Sequence, residues 1–212
     1  MTSDLPRVVG LDISLTGTGI ATPTTADTIT PGGRRGIERI QYIRDCILGD
    51  LLDHEPDLVV IEGPSYGSQG GQAHDRAGLW WAVRLLCVEA YPVPVAVVPP
   101  ATLKRYATGR GNADKAAMAV AAYKRLGREL ADDNRVDALW LRAAGMDHLG
   151  HPLAPMPATH RAALDRVAWP DVPESPAGGA ASGRRPPRRD DDEPSTTAGR
   201  LCRRVDYREV GR

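Results

Sequence analysis

Three acidic segments of the chain place carboxylates where an apolar element ends or a helical pattern begins. Asp12 follows the apolar run RVVGL, and Glu62 follows the run LVVI. The third segment, DDNRVDALW, contains Asp133 and Asp137. A carboxylate at the end of a buried strand loses hydration, which raises its pKa unless a positive charge compensates. These acids therefore predict a cation site, although Asp12 taken alone also fits a turn cap.

The third segment supplies acids to one face of a helix. Asp133 and Asp137 are four residues apart, and Asn134 and Asp137 are three apart, so both pairs lie roughly in line. N-capping is the alternative for Asp132 and Asp133. Oxygen ligands without His or Cys suit Mg²⁺ or Mn²⁺ rather than zinc. Two such ions, about 3.5–4 Å apart, stabilise the attacking and leaving oxygens in phosphodiester cleavage.

A basic segment accompanies the acids. The chain has 24 arginines but only three lysines, and all three lie between residues 104 and 124. Residues 104–115, KRYATGRGNADK, contain Lys104, Arg105, Arg110 and Lys115 together with two glycines, directly before a predicted helix. This combination is typical of a segment that binds phosphate. The alternative is that these are solvated loop cations. Tyr66, on the glycine-rich loop 63–74, suits stacking on an unpaired base.

The order of the elements predicts an α/β layered domain. A strand and a glycine-containing turn lead into the strand GIAT, and a third short strand follows around residues 27–30. Helical spacing covers residues 36–54 and 75–90, with apolar strands LVVIEG and VPVAVV after them. Residues 101–115 lead into a helix that ends near residue 126, and a last helix covers about 132–144. The result is a mixed sheet with helices on its faces.

The composition limits the remaining possibilities. The formal net charge is zero, with 27 basic and 27 acidic residues, so any nucleic-acid surface is a local patch. No apolar run approaches a membrane span and the N-terminus lacks a signal-peptide core, which predicts a cytoplasmic protein without membrane contact. We expect a folded domain over residues 1–149. Residues 150–212 are predicted to be a low-complexity, largely disordered tail with a short helix at 158–168.

Four stretches together resemble the RuvC-type Holliday junction resolvases of the RNase H-like superfamily, especially their phage-type branch. They are GLDISLTGTGIA, LVVIEGPSYGSQGG, PPATLKRYATGRGNADKAAM and DDNRVDALWL, in that order. The resemblance implies a mixed five-stranded RNase H-like sheet with helices on both faces. It places Asp12, Glu62 and Asp137 on the family's acidic metal ligands. Asp133 is the predicted fourth ligand, and Asn134 is its rival because the family usually has an Asp at that position.

The resemblance also implies the activity. A metal-dependent endonuclease with two Mg²⁺ or Mn²⁺ ions would nick four-way DNA junctions symmetrically and leave 5′-phosphate and 3′-hydroxyl ends. Lys104 and Lys115 match basic residues near the scissile phosphate, and Tyr66 lies one residue from the family's aromatic wedge. Symmetric nicking implies a homodimer, and we predict helix 75–90, with Leu79, Trp80 and Trp81, as its interface.

Three other functions remain compatible with the sequence. A nuclease that debranches forks or flaps would carry the same motifs. A junction-binding protein that does not cleave is disfavoured because the core acids are retained. Kinases of the actin-like fold also begin with a strand, an Asp and a Ser/Thr/Gly hairpin, but they need two such domains.

Overall fold

The computed structural model describes residues 5–64, 72–130 and 132–172. The strands are β1 Val8–Asp12, β2 Thr18–Ala21, β3 Ala26–Ile29, β4 Leu58–Glu62 and β5 Val95–Val98. The helices are α1 Gly36–His54, α2 Ala73–Leu85, α3 Pro100–Thr108, α4 Lys115–Leu126, α5 Asp133–His148 and α6 Ala158–Arg161. Among the described residues, none of these helices has the length and apolar composition needed to cross a bilayer. The cytoplasmic location stays a prediction.

The strands form one sheet in the order β3-β2-β1-β4-β5. β1, β2 and β3 pair as antiparallel neighbours, whereas β4 is parallel to both β1 and β5. The mixed five-stranded sheet predicted from the sequence is therefore confirmed. Because β1 and β4 are parallel neighbours, their carboxyl ends meet at the same edge of the sheet.

Side chains alternate between the two faces of β1 and so feed two separate cores. Val9 and Leu11 pack with buried residues of α1 and α2 on one face. Val8 lies on the other face, in the core that includes buried residues of α3, α4 and α5. By this alternation, Gly10 and Asp12 face α5.

Helix α5 lies unusually close to the sheet because glycines stand at the contact points. A Cβ on Gly10 would lie 2.2 Å from the Ala138 carbonyl oxygen, and one on Gly19 would lie 1.9 Å from the Asn134 carbonyl oxygen. On the helix side, a Cβ on Gly145 would lie 2.7 Å from Val60 Cγ2. These glycines fix α5 against β1 and β2, with the helix N-terminus over the carboxyl end of β1.

Two segments differ from the sequence predictions. Residues 100–108 are helical, whereas the sequence predicts that 101–115 only lead into a helix. Pro100 suits the first turn of a helix, and Gly109 ends it at φ 85° with its N–H donating to the Arg105 carbonyl. A proline at the start and a glycine at the end are the sequence signals that could have found this helix.

Residues 150–172 were assigned to the tail, but they pack on the domain. Leu164 and Val167 belong to the α5-side core. Arg161 reaches back to the buried carboxylate of Asp147 at 2.7 Å, and Trp169 stacks on His148 with ring centroids 4.1 Å apart. The packed part of the chain thus extends to at least residue 172. The rest of the predicted tail, 173–212, lies outside the described residues.

The close approach of α5 yields a stability prediction. Gly10→Ala places a methyl group against helix backbone that cannot yield, so we expect the free energy of unfolding to fall by roughly 3 kcal/mol or more. The matched control is Gly33→Ala, because a Cβ there meets nothing within 4 Å. We expect that control to change stability by less than about 1 kcal/mol. Urea unfolding of both variants checks this, and equal effects would contradict the proposed role of Gly10.

Candidate active site

Asp12 and Glu62 occupy equivalent positions at the ends of neighbouring parallel strands. Leu11 pairs with Ile61 across β1 and β4, so the next residue on each strand is a carboxylate. Neighbouring strands are about 4.8 Å apart, and side chains at paired positions point to the same face. Asp12 and Glu62 therefore share the face that α5 covers.

Asp137 joins them from α5. Asp12 pairs with Gly19 of β2, and Gly19 directly contacts α5 at Asn134 and Ala138. Asp137 lies within that segment of the helix, one residue before Ala138. The close packing at Gly19 thus brings a carboxylate from far along the chain to the edge that carries Asp12.

The pKa values of the three acids reflect this proximity. The pKa is raised to about 7 for Asp12, to about 8 for Glu62 and to about 6 for Asp137, and burial is the largest cause in each case. Part of the rise for Asp12 comes from the Asp137 charge, and part of the rise for Glu62 comes from both of those acids. The three carboxylates form one coupled group that resists full ionisation.

The arrangement of the three acids bears on whether they can hold a cation. Within the described ranges, no three His, Cys, Asp or Glu side chains converge closely enough to hold a single ion. The acids are therefore close enough to change one another's pKa, but their oxygens do not converge on one ion position. Their donors are all oxygens, however, and a divalent cation relieves the burial and repulsion that raise their pKa values. The chemistry of the donor set fits Mg²⁺ or Mn²⁺, and binding one ion by all three acids would require their side chains to move.

Lys115 and Asp133 border this group. The Lys115 ammonium lies 2.9 Å from the Asp133 carboxylate, and both side chains are substantially exposed. The Lys115 charge lowers the pKa of Asp12 and of Asp137, whereas the Asp133 charge raises that of Asp137. The two residues therefore lie at the solvent side of the carboxylate group.

The rival fourth ligand, Asn134, has a different set of contacts. Its side-chain N–H and its backbone N–H both donate to Asp132 Oδ1 at 2.9 Å. The other oxygen of Asp132 accepts a short hydrogen bond from Thr28 Oγ1. Asp132 thus caps α5 and ties it to β3, the capping role that the sequence left open. Whether Asp133 or Asn134 completes the ligand set stays a prediction.

Two of the four predicted basic residues, Lys104 and Lys115, lie near the carboxylates. The other two, Arg105 and Arg110, do not. The Lys104 charge lowers the pKa of Glu62 and of Asp137, so α3 borders the site. Helix α4 borders it as well, through Lys115. Arg105 instead lies beside Gly111, where its guanidinium would be 3.3 Å from an added Cβ. Arg110 lies past the end of α3. Tyr66 falls outside the described residues.

Trp80 also supports the site, although its sequence context predicts only a place at the dimer face. Its indole N–H donates to the Glu62 backbone carbonyl at 3.2 Å, and Trp81 packs edge-on against it with ring centroids 5.0 Å apart. This bond helps to fix the end of β4. No local sequence signal marks it, because the two residues are 18 positions apart in the chain.

The amino-acid sequence of this chain is similar to that of known proteins. No protein-family model matches the chain. It is 29% identical over 161 residues to the crossover junction endodeoxyribonuclease RuvC of Gloeobacter violaceus, covering 70% of this chain and 92% of that protein. This chain is therefore similar to RuvC. The phage-type branch stays a prediction.

Two solved structures of RuvC have the same fold as this chain. Thermus thermophilus RuvC superposes with a TM-score of 0.56 at 23% identity, covering 71% of this chain and 99% of that one. The same protein in complex with a Holliday junction substrate gives 0.57 at 20% identity, covering 72% and 99%. The fold resemblance predicted from four sequence stretches is therefore confirmed.

The raised pKa of Asp12 predicts how the metal-free protein responds to pH. The folded state retains a proton that the unfolded state releases near pH 4, so stability falls as pH rises above 4 and levels off above the folded-state pKa of about 7. We expect chelator-treated protein to lose roughly 2 kcal/mol of stability between pH 5 and pH 8. Asp12→Asn should lose less and should be the more stable protein at pH 8. Urea unfolding across this range checks the sign, and wild-type stability that rises towards pH 8 would contradict it.

Proposed function

We propose that this chain is a divalent-metal-dependent endonuclease that cleaves four-way DNA junctions. The observation that carries the proposal is the coupled group of Asp12, Glu62 and Asp137 at one edge of a RuvC-like sheet. The similarity in sequence to a crossover junction endodeoxyribonuclease supports the reaction class. The solved complex of T. thermophilus RuvC with a Holliday junction supports the substrate class.

Asp12, Glu62 and Asp137, with Asp133 as the proposed fourth ligand, would hold two Mg²⁺ or Mn²⁺ ions. Such ions supply an activated water and stabilise the negative charge that develops on the phosphate. The raised pKa values imply that the carboxylates must lose protons as they bind, so ion binding strengthens as pH rises.

The basic residues position and neutralise the substrate strand. Lys115 offers an exposed ammonium next to the carboxylate group, where it can neutralise charge on the scissile phosphate. Lys104 contributes a second positive charge from α3. Attack of water on the phosphorus with release of the 3′-oxygen would leave a 5′-phosphate and a 3′-hydroxyl.

We also propose that the protein acts as a homodimer, because two symmetric nicks need two active sites. Of the three residues predicted for the interface, Leu79 is buried in its own core and Trp80 faces Glu62. Trp81 is 61% exposed, and Leu85 continues an apolar stripe on the same side of α2. Val88 extends it in the π-helical turn Leu86–Ala90 that directly follows α2. An exposed apolar stripe of this kind could pack against its own copy across a two-fold axis.

Cleavage of a supercoiled plasmid that extrudes a cruciform tests the function. With Mg²⁺, wild-type protein should convert the plasmid to linear DNA, and EDTA should prevent it. Asp12→Asn should reduce the rate by more than about 100-fold, whereas the control Asp45→Asn, at an exposed carboxylate on α1, should not. Matched fork, flap and linear substrates separate junction resolution from general debranching. Equal cleavage of linear duplex, or full activity of Asp12→Asn, would refute the proposal.

The same assay tests the dimer. Trp81→Glu places a charge in the apolar stripe without touching the carboxylates, so we expect monomers that nick only one strand. A single nick relaxes the plasmid and removes the cruciform, which leaves nicked circles instead of linear product. Linear product from Trp81→Glu at the wild-type rate would contradict the proposed interface.

A further inference from the structure

A second candidate binding feature lies outside the carboxylate site. A groove of about 670 Å³ separates the end of α3, with the loop that follows it, from α4. Polar groups of Thr108 and Asn112 line it alongside small apolar side chains. Its charged lining residues are Arg110, Asp114, Lys124 and Arg125.

The cations of this groove have no carboxylate partner among the described residues. Elsewhere in that part of the chain, Arg39, Lys115 and Arg161 each form an ion pair at 2.9 Å or less. The one acid in the groove, Asp114, caps α4 by accepting from the Ala117 N–H at 2.8 Å. The groove therefore carries an excess of two positive charges. The negative end of the α4 dipole accounts for Lys124 and Arg125 as helix residues, but not for Arg110.

The groove is distinct from the active site although α4 borders both. Lys115 and Lys124 are nine residues apart, which is about 14 Å along the helix and half a turn around it. Lys115 faces α5 and the carboxylates, whereas Ala117, Ala121 and Lys124 face the groove. Arg110 lies at the α4 N-terminal end, because its carbonyl accepts from the Ala113 N–H, so the cations lie along the groove rather than around one point.

We propose that this groove binds the sugar–phosphate backbone of a duplex arm at a distance from the cleaved bond. Unpaired arginine and lysine side chains bind phosphates through charge, and hydroxyl and amide groups such as those of Thr108 and Asn112 add hydrogen bonds. An elongated row of cations suits a continuous backbone better than a single phosphate. The proposal gives the third lysine of the chain a function, and it rests on the proposed junction cleavage.

The salt dependence of DNA binding tests the groove. Fluorescence anisotropy in EDTA, with a labelled four-way junction and a linear duplex, gives the slope of log K against log salt concentration. Each phosphate contact contributes about 0.9 to that slope. Lys124→Gln/Arg125→Gln should lower the slope by about 1–2 and weaken junction binding roughly tenfold at low salt. The charge-preserving exchange Lys124→Arg/Arg125→Lys should keep the wild-type slope.

Arg7→Gln/Arg44→Gln is the matched control, because it removes two positive charges from exposed ion pairs remote from the groove. Its slope should equal that of wild type. If wild type binds junctions and Lys124→Gln/Arg125→Gln binds with an unchanged slope, the groove proposal is overturned while the proposed function stands. If wild type binds neither DNA, the proposed function fails and the groove proposal fails with it.

Discussion

Burial of like charges at the carboxyl edge of the sheet is the constraint on which the site depends. Asp12, Glu62 and Asp137 all have their pKa raised chiefly by loss of hydration, and each also responds to another acid. Such a group costs free energy in a protein that has no cation to place there. A bound cation would relieve this cost, and all-oxygen donors suit a hard divalent ion.

The rest of the fold holds these acids together. Parallel pairing of β1 and β4 places Asp12 beside Glu62. Glycine contacts let α5 approach β1 and β2 closely enough to add Asp137. The Thr28–Asp132 hydrogen bond and the Trp80–Glu62 hydrogen bond then fix the ends of α5 and β4. The site is thus built by three elements whose positions are each fixed by contacts outside it.

Local sequence patterns predict much of this site, whereas contacts between distant parts of the chain determine the rest. Apolar runs that end in an acid predicted both strand ends, and helical spacing predicted the face of α5 that carries Asp137. The Thr28–Asp132 bond joins residues 104 positions apart, so no window of sequence could show it. The packing of Leu164 and Trp169 was also hidden, because a short apolar segment next to a polar tract gives little periodicity.

The three lysines also show which features the sequence predicts and which only the structure shows. Their clustering was visible in the sequence, but only the structure separates them. Lys104 and Lys115 act on the pKa values of the carboxylates, whereas Lys124 faces the groove on the other side of α4. If the groove proposal holds, a single helix organises both the cleaved phosphate and a more distant part of the same DNA.

Calorimetric titration with Mn²⁺ tests most directly whether the three acids bind ions as one group. Asp12→Asn, Glu62→Gln and Asp137→Asn should each weaken binding by more than about tenfold, and Asp45→Asn should match wild type. Binding at pH 7 should also release protons, and Asp12→Asn should release fewer. Unchanged Mn²⁺ affinity in any one of the three variants would contradict a shared site.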